Sequence, residues 1–97
     1  MTDKHFNNLT PAEAERLALL AEECGEVVQV IGKILRHGYE SAHPNGGPVN
    51  RELLQKELGD VLAAQALMMD ADDINHEIIE RYRQRKLALV GKYLHHA

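Results

Sequence analysis

Thr10-Pro11-Ala12-Glu13 combines an N-cap threonine, a proline at the first helical position and a glutamate at the third, the pattern that opens a helix with a capping box. From there Leu17, Leu20, Cys24, Val27 or Val28, Ile31, and Ile34 or Leu35 recur at three- and four-residue steps. The series stops at Gly38, directly after His37, a residue that suits the negative end of a helix. A helix of roughly seven turns is therefore predicted. It leaves the rest of a 97-residue chain little choice but to pack against it.

The apolar content, 44% with four aromatics and no tryptophan, supplies Leu, Ile, Val, Ala and Met for helix packing rather than for a sheet sandwich. The fold class expected is all-α: one domain over residues 1–97, an antiparallel bundle of three main helices. A chain this short buries a modest core, so oligomerisation is expected to complete a four-helix-type core.

Residues 38–48 hold three of the seven glycines and two of the three prolines and read as a loop, long for a helix-helix connection. Such a loop either covers a site, reaches a neighbouring subunit, or is a plain surface excursion. Asn50 is a suitable N-cap for a second helix running to Met69, with Val49 and Leu54 at hydrophobic-staple positions. Asp70-Ala71-Asp72-Asp73 forms an acidic turn in which Asp72 or Asp73 can cap a third helix bearing Ile74, Ile78, Tyr82 and Leu89.

The one cysteine, Cys24, allows no intrachain disulfide and reads as a buried small apolar residue. Met68 and Met69 read as core filler. Residues 1–5 open no apolar leader, and no run reaches the roughly eighteen apolar residues of a membrane span, so a cytoplasmic protein without membrane association is expected. A net charge of −4 argues against nucleic acid as a partner. The 15 acids all precede Arg81, and five of the 11 bases lie from there on, making either a basic helix end or a phosphate-facing surface.

Within the predicted helices, Glu22, Glu23 and Glu26 fall in a stripe about 100° wide, and Glu57 and Asp60 lie about 60° apart. Like charges so placed repel, and a hard divalent cation is the natural compensation. Gly25 and Gly59, one inside each acidic motif, and Gly32 suggest close approach, since glycine costs about 1 kcal/mol against alanine in a helix. A di-iron bundle would need Glu-x-x-His tetrapeptides, which are absent, and His76-Glu77-Ile78-Ile79-Glu80 lacks the second histidine of a zincin helix.

Glu22-Glu23-Cys24-Gly25-Glu26 followed by Glu57-Leu58-Gly59-Asp60 resembles the Glu-Glu-x-x-Glu and Glu-x-x-Asp motifs of the MazG-like all-α nucleoside triphosphate pyrophosphohydrolases, over residues 10 to 93. The resemblance implies that Glu23, Glu26, Glu57 and Asp60 ligate Mg2+, with Mn2+ a substitute. It implies hydrolysis of a nucleoside triphosphate, a deoxynucleotide by preference, to monophosphate and pyrophosphate. Glu22 is the candidate base or an orienting residue. Arg81, Arg85 and Lys92 are candidate phosphate contacts, with Lys92-Tyr93 matching the family's late basic pattern and Leu89 standing where some relatives carry a polar residue. Tyr39 and His43 are loop residues within possible reach of substrate. A homodimer or homotetramer is implied as well. The alternative is a catalytically inactive helical adaptor keeping the fold, against which the presence of all five acids weighs.

Overall fold

The computed structural model describes residues 6–96; residues 1–5, read above for the absence of a leader, lie outside them. Three helices make up its regular structure: α1 (Pro11–His37), α2 (Asn50–Asp70) and α3 (His76–Val90), with no strand among the described residues. The all-α expectation holds.

The start of α1 is the predicted capping box. Thr10 Oγ1 accepts from the Glu13 amide at 3.1 Å, and Glu13 Oε1 accepts from the Thr10 amide at 2.8 Å. The helix stops at Gly38, whose φ of 90° only glycine adopts readily and whose amide donates to the Ile34 carbonyl at 2.7 Å.

Two other caps differ from expectation. Val49 takes the N-cap position of α2 and contributes no side-chain bond. Asn50 is buried as the first helical residue and donates through Nδ2 to the Gly38 carbonyl at 3.1 Å. The orphan amides of α2 are served by the loop instead: Asn50 donates to Ser41 O at 2.9 Å and Arg51 to Tyr39 O at 2.8 Å. At α3 the cap is Asn75, whose Oδ1 accepts from the Ile78 amide at 3.0 Å, and not Asp72 or Asp73. Asp72 takes a left-handed conformation, φ 61°, and Asp73 is drawn away to pair with Arg16.

These contacts establish antiparallel packing of the first two helices. The end of α1 is tied to the start of α2 through Gly38 and Asn50, and Arg16 near the start of α1 meets Asp73 just beyond the end of α2. Helices α1 and α2 pack along their length, whereas α3 touches the hairpin sparsely and buries no residue. The Cα radius of gyration is 17.2 Å, against about 13 Å for a compact domain of this size, so one chain closes only part of a core.

The inward face of α1 runs through Leu20, Glu23, Val27, Val30 and Ile34, and that of α2 through Leu54, Glu57, Val61, Ala64 and Met68, half-buried to buried throughout. The stripe read from sequence mixes this face with a second one. Leu17, Ala21, Cys24, Val28, Ile31 and Leu35, alternating steps of four and three, are all exposed, so Cys24 is not buried. Val28 is 67% and Leu35 82% exposed, large values for aliphatic side chains. Met68 is core, as expected, and Met69 half-buried. The glycine expectation fails at two positions: a Cβ on Gly25 or Gly59 would meet nothing within 4 Å. Neither residue mediates the packing of α1 on α2.

Candidate metal centre

Each helix directs an acidic pair inward from between apolar neighbours. Glu23 and Glu26 are flanked by Leu20, Val27 and Val30, and Glu57 and Asp60 by Leu54, Val61 and Ala64, so burying the aliphatic side chains carries the acids into the seam with them. Antiparallel packing sets the pairs opposite each other. One carboxylate oxygen from each of Glu23, Glu26, Glu57 and Asp60 lies within 4.8 Å of the other three. Glu57 is buried and the other three are half-buried.

Four acids at this spacing cannot all be charged without compensation, and what the chain itself supplies is small. Lys56 Nζ lies 3.0 Å from Asp60 Oδ2 and 3.3 Å from Glu57 Oε1, but from the exposed rim. The hydrogen bond of Glu26 with Glu57, followed by the charge of Glu23, pushes the Glu26 carboxyl up to about 7, and the charge of Glu22 adds to this. Glu23 Oε2 and Glu57 Oε2 are buried without any hydrogen-bond partner. Buried carboxylate oxygens left bare are costly, so this pair marks a place where a ligand is expected.

A divalent cation fits that place. Hard oxygen donors are the ligands Mg2+, Mn2+ and Ca2+ prefer, and oxygens on opposite sides of such an ion stand about 4 to 5 Å apart, the span found here.

Of the other residues singled out from sequence, Glu22 is exposed beside Glu23 and outside the four-carboxylate group. Arg81 and Arg85 are exposed on α3, and Lys92 lies in the turn after it. No ion pair or hydrogen bond found among the described residues joins them to the carboxylates. Leu89 and Tyr93 are exposed as well. Tyr39 stacks under the Arg51 guanidinium at 4.3 Å, and Arg51 Nε donates to Glu40 at 2.6 Å, which fixes the loop to α2. Lys56 was missed from sequence, although its place directly before Glu57 and four residues before Asp60 was the available signal.

Fold and site together define a helical hairpin whose seam is a candidate carboxylate centre for a divalent metal. The chain belongs to the MazG nucleotide pyrophosphohydrolase domain family, whose model matches residues 12–88 and so takes in the whole carboxylate group and most of α3. No curated protein and no solved structure matches the chain.

Proposed function

We propose that this protein is a Mg2+-dependent nucleotide pyrophosphohydrolase that cleaves a nucleoside triphosphate, preferentially a deoxynucleotide, between the α and β phosphates, giving monophosphate and pyrophosphate. The observation that carries this reading is the convergence of Glu23, Glu26, Glu57 and Asp60 within 4.8 Å, with bare buried oxygens on Glu23 and Glu57, in a chain of the MazG family.

Those four carboxylates hold the ion, with Mn2+ able to substitute. When bound, the cation supplies charge neutralisation for the triphosphate and lowers the pKa of an attacking water. Glu22, exposed beside this group, is free to take the proton of the water as it attacks the α phosphorus, and the pyrophosphate leaves from the opposite side. Lys56, already on the rim, is placed to follow the negative charge outward onto the substrate. Arg81, Arg85 and Lys92 serve as phosphate contacts, and because α3 lies loosely on its own hairpin, they do so across a subunit boundary or after α3 closes.

Self-association is part of this reading. The exposed stripe of α1 lies about 100° around that helix from its inward face, and Leu58, Leu62 and Met69 lie about 100° around α2 in the same sense. In antiparallel helices equal rotations from a shared seam point to the same side, so the two stripes form one apolar face. Leu62 is 65% exposed on it. Pairing two such faces makes a four-helix core in a homodimer, the first step to any tetramer. No described helix is long and apolar enough to cross a membrane, which accords with a cytoplasmic role on free nucleotides.

Product analysis of the purified protein with a panel of NTPs and dNTPs tests the reaction. Monophosphate and pyrophosphate should appear only with Mg2+ or Mn2+, and Glu23→Gln and Asp60→Asn should abolish them. Folded protein with no turnover on any nucleotide would move the reading to the adaptor.

A further inference from the structure

Beyond the carboxylates, the end of α1, the loop 38–48 and the start of α2 enclose a cavity of about 380 Å3, within the size range of small-molecule sites. Lys33, Arg36, His37 and His43 stand around it, and no carboxylate does. In a chain with 15 acids and 11 Lys and Arg residues, that segregation is unusual. Arg16, Arg51, Lys56 and Arg83 each have an acidic partner, while Lys33 and Arg36 have none among the described residues. The Arg36 guanidinium folds back along α1, its Nη1 lying 3.7 Å from where a Cβ on Gly32 would stand. Pro48 and Leu53 give the wall an apolar part.

The enclosing loop is held in shape. Asn50 clasps Gly38, His43 Nδ1 accepts from the Asn45 amide at 3.1 Å, and Gly46 and Gly47 take φ values of 95° and 117°, which suit glycine. Along α1, Lys33 and Arg36 follow Glu26 by seven and ten residues, about 10 to 15 Å of helix, which separates this cavity from the metal centre.

We propose that the cavity is a binding site for a small phosphate monoester with an aromatic or apolar body. Unpaired guanidinium and ammonium groups are the usual recognition elements for phosphate, and the apolar wall is left unfilled by the inorganic ion alone. The site does not depend on the hydrolase reading, because it shares no residue with the carboxylate group.

The full chain is titrated in EDTA, which removes the metal centre from play, with phenyl phosphate, AMP, adenosine and inorganic phosphate. Calorimetry and amide chemical shifts are the readouts. Phenyl phosphate and AMP should bind with shifts confined to residues 33–53. Adenosine and inorganic phosphate should bind at least about tenfold more weakly, and the exposed-site double variant Lys33→Gln/Arg36→Gln should lose about tenfold or more for the two esters. Glu57→Gln should bind them as the parent does. Absence of binding, shifts centred on Glu23 and Glu57, inorganic phosphate matching the esters, or an unaffected double variant would each overturn the proposal.

Discussion

Arg16 and Asp73, 57 positions apart, meet through two parallel bonds, Nε to Oδ2 at 2.6 Å and Nη2 to Oδ1 at 3.0 Å. The Arg16 guanidinium holds the Asp73 carboxyl below its usual range, so the pair is charged at neutral pH. The amides of Ala71, Asp72 and Asp73 bond back to α2, and the Arg16–Asp73 pair ties the same turn to α1, which places it to hold α3 against the hairpin. Arg16→Ala should therefore raise amide hydrogen exchange across residues 71–79 while leaving the centres of α1 and α2 protected. Equal protection in parent and variant would show that the pair does not position α3.

Removing one buried acid should stabilise the metal-free chain and disable the metal-loaded one. Glu57→Gln keeps the shape, relieves repulsion with Glu23, Glu26 and Asp60, and deletes a ligand. The expected outcome is a higher Tm in EDTA, no Tm rise on adding Mg2+, and activity reduced by at least about 100-fold, some 2.7 kcal/mol of transition-state stabilisation. A lower Tm in EDTA would mean that the acids are held by contacts other than those seen.

The Glu26 carboxyl, raised to about 7 from 4.5, gives a pH dependence with a definite sign. A folded-state value above the unfolded one means that the contribution of Glu26 to stability is fully present below 4.5 and is lost as pH rises through about 7. Metal competes with the same proton. Mg2+ affinity should rise between roughly pH 5.5 and 8.5, and binding near pH 6 should release protons, measured by calorimetry in buffers of different ionisation enthalpy. Glu26→Gln should abolish the proton release, whereas release persisting in that variant would assign the proton to another group.

Lys56 occupies the rim as a tethered counter-ion and has to yield to a metal bound at Glu57 and Asp60. Lys56→Gln should tighten Mg2+ binding in calorimetry and raise the KM for the triphosphate. Looser Mg2+ binding in this variant would mean that Lys56 assembles the site rather than competing for it.

The exposed stripe on α1 should carry the dimer. Ile31→Glu places a charge in the middle of the apolar face and should shift the protein from dimer to monomer in analytical ultracentrifugation, with Cys24 becoming more reactive to thiol reagents. Parent protein sedimenting as a monomer at high concentration would rule out this face as an interface.

What the sequence determined by itself is local. The capping box at Thr10 and Glu13, the stop at Gly38 and the loop 38–48 were legible because each depends on spacing along a helix or on the preferences of one residue; spacing likewise placed five acids on helix faces, and the family resemblance picked out the four that cluster. Tertiary structure decided what depends on partners remote in the chain. Asn50 and Asp73 were both good N-caps in isolation, but Gly38 and Arg16 offered them other bonds. Periodicity alone marked α1 as apolar but could not divide its residues between two faces, since stripes about 100° apart share the same three- and four-residue steps. Packing against α2 made that division: it buried Val30 and left Cys24 and Val28 outside, and it turned two acidic motifs into one site.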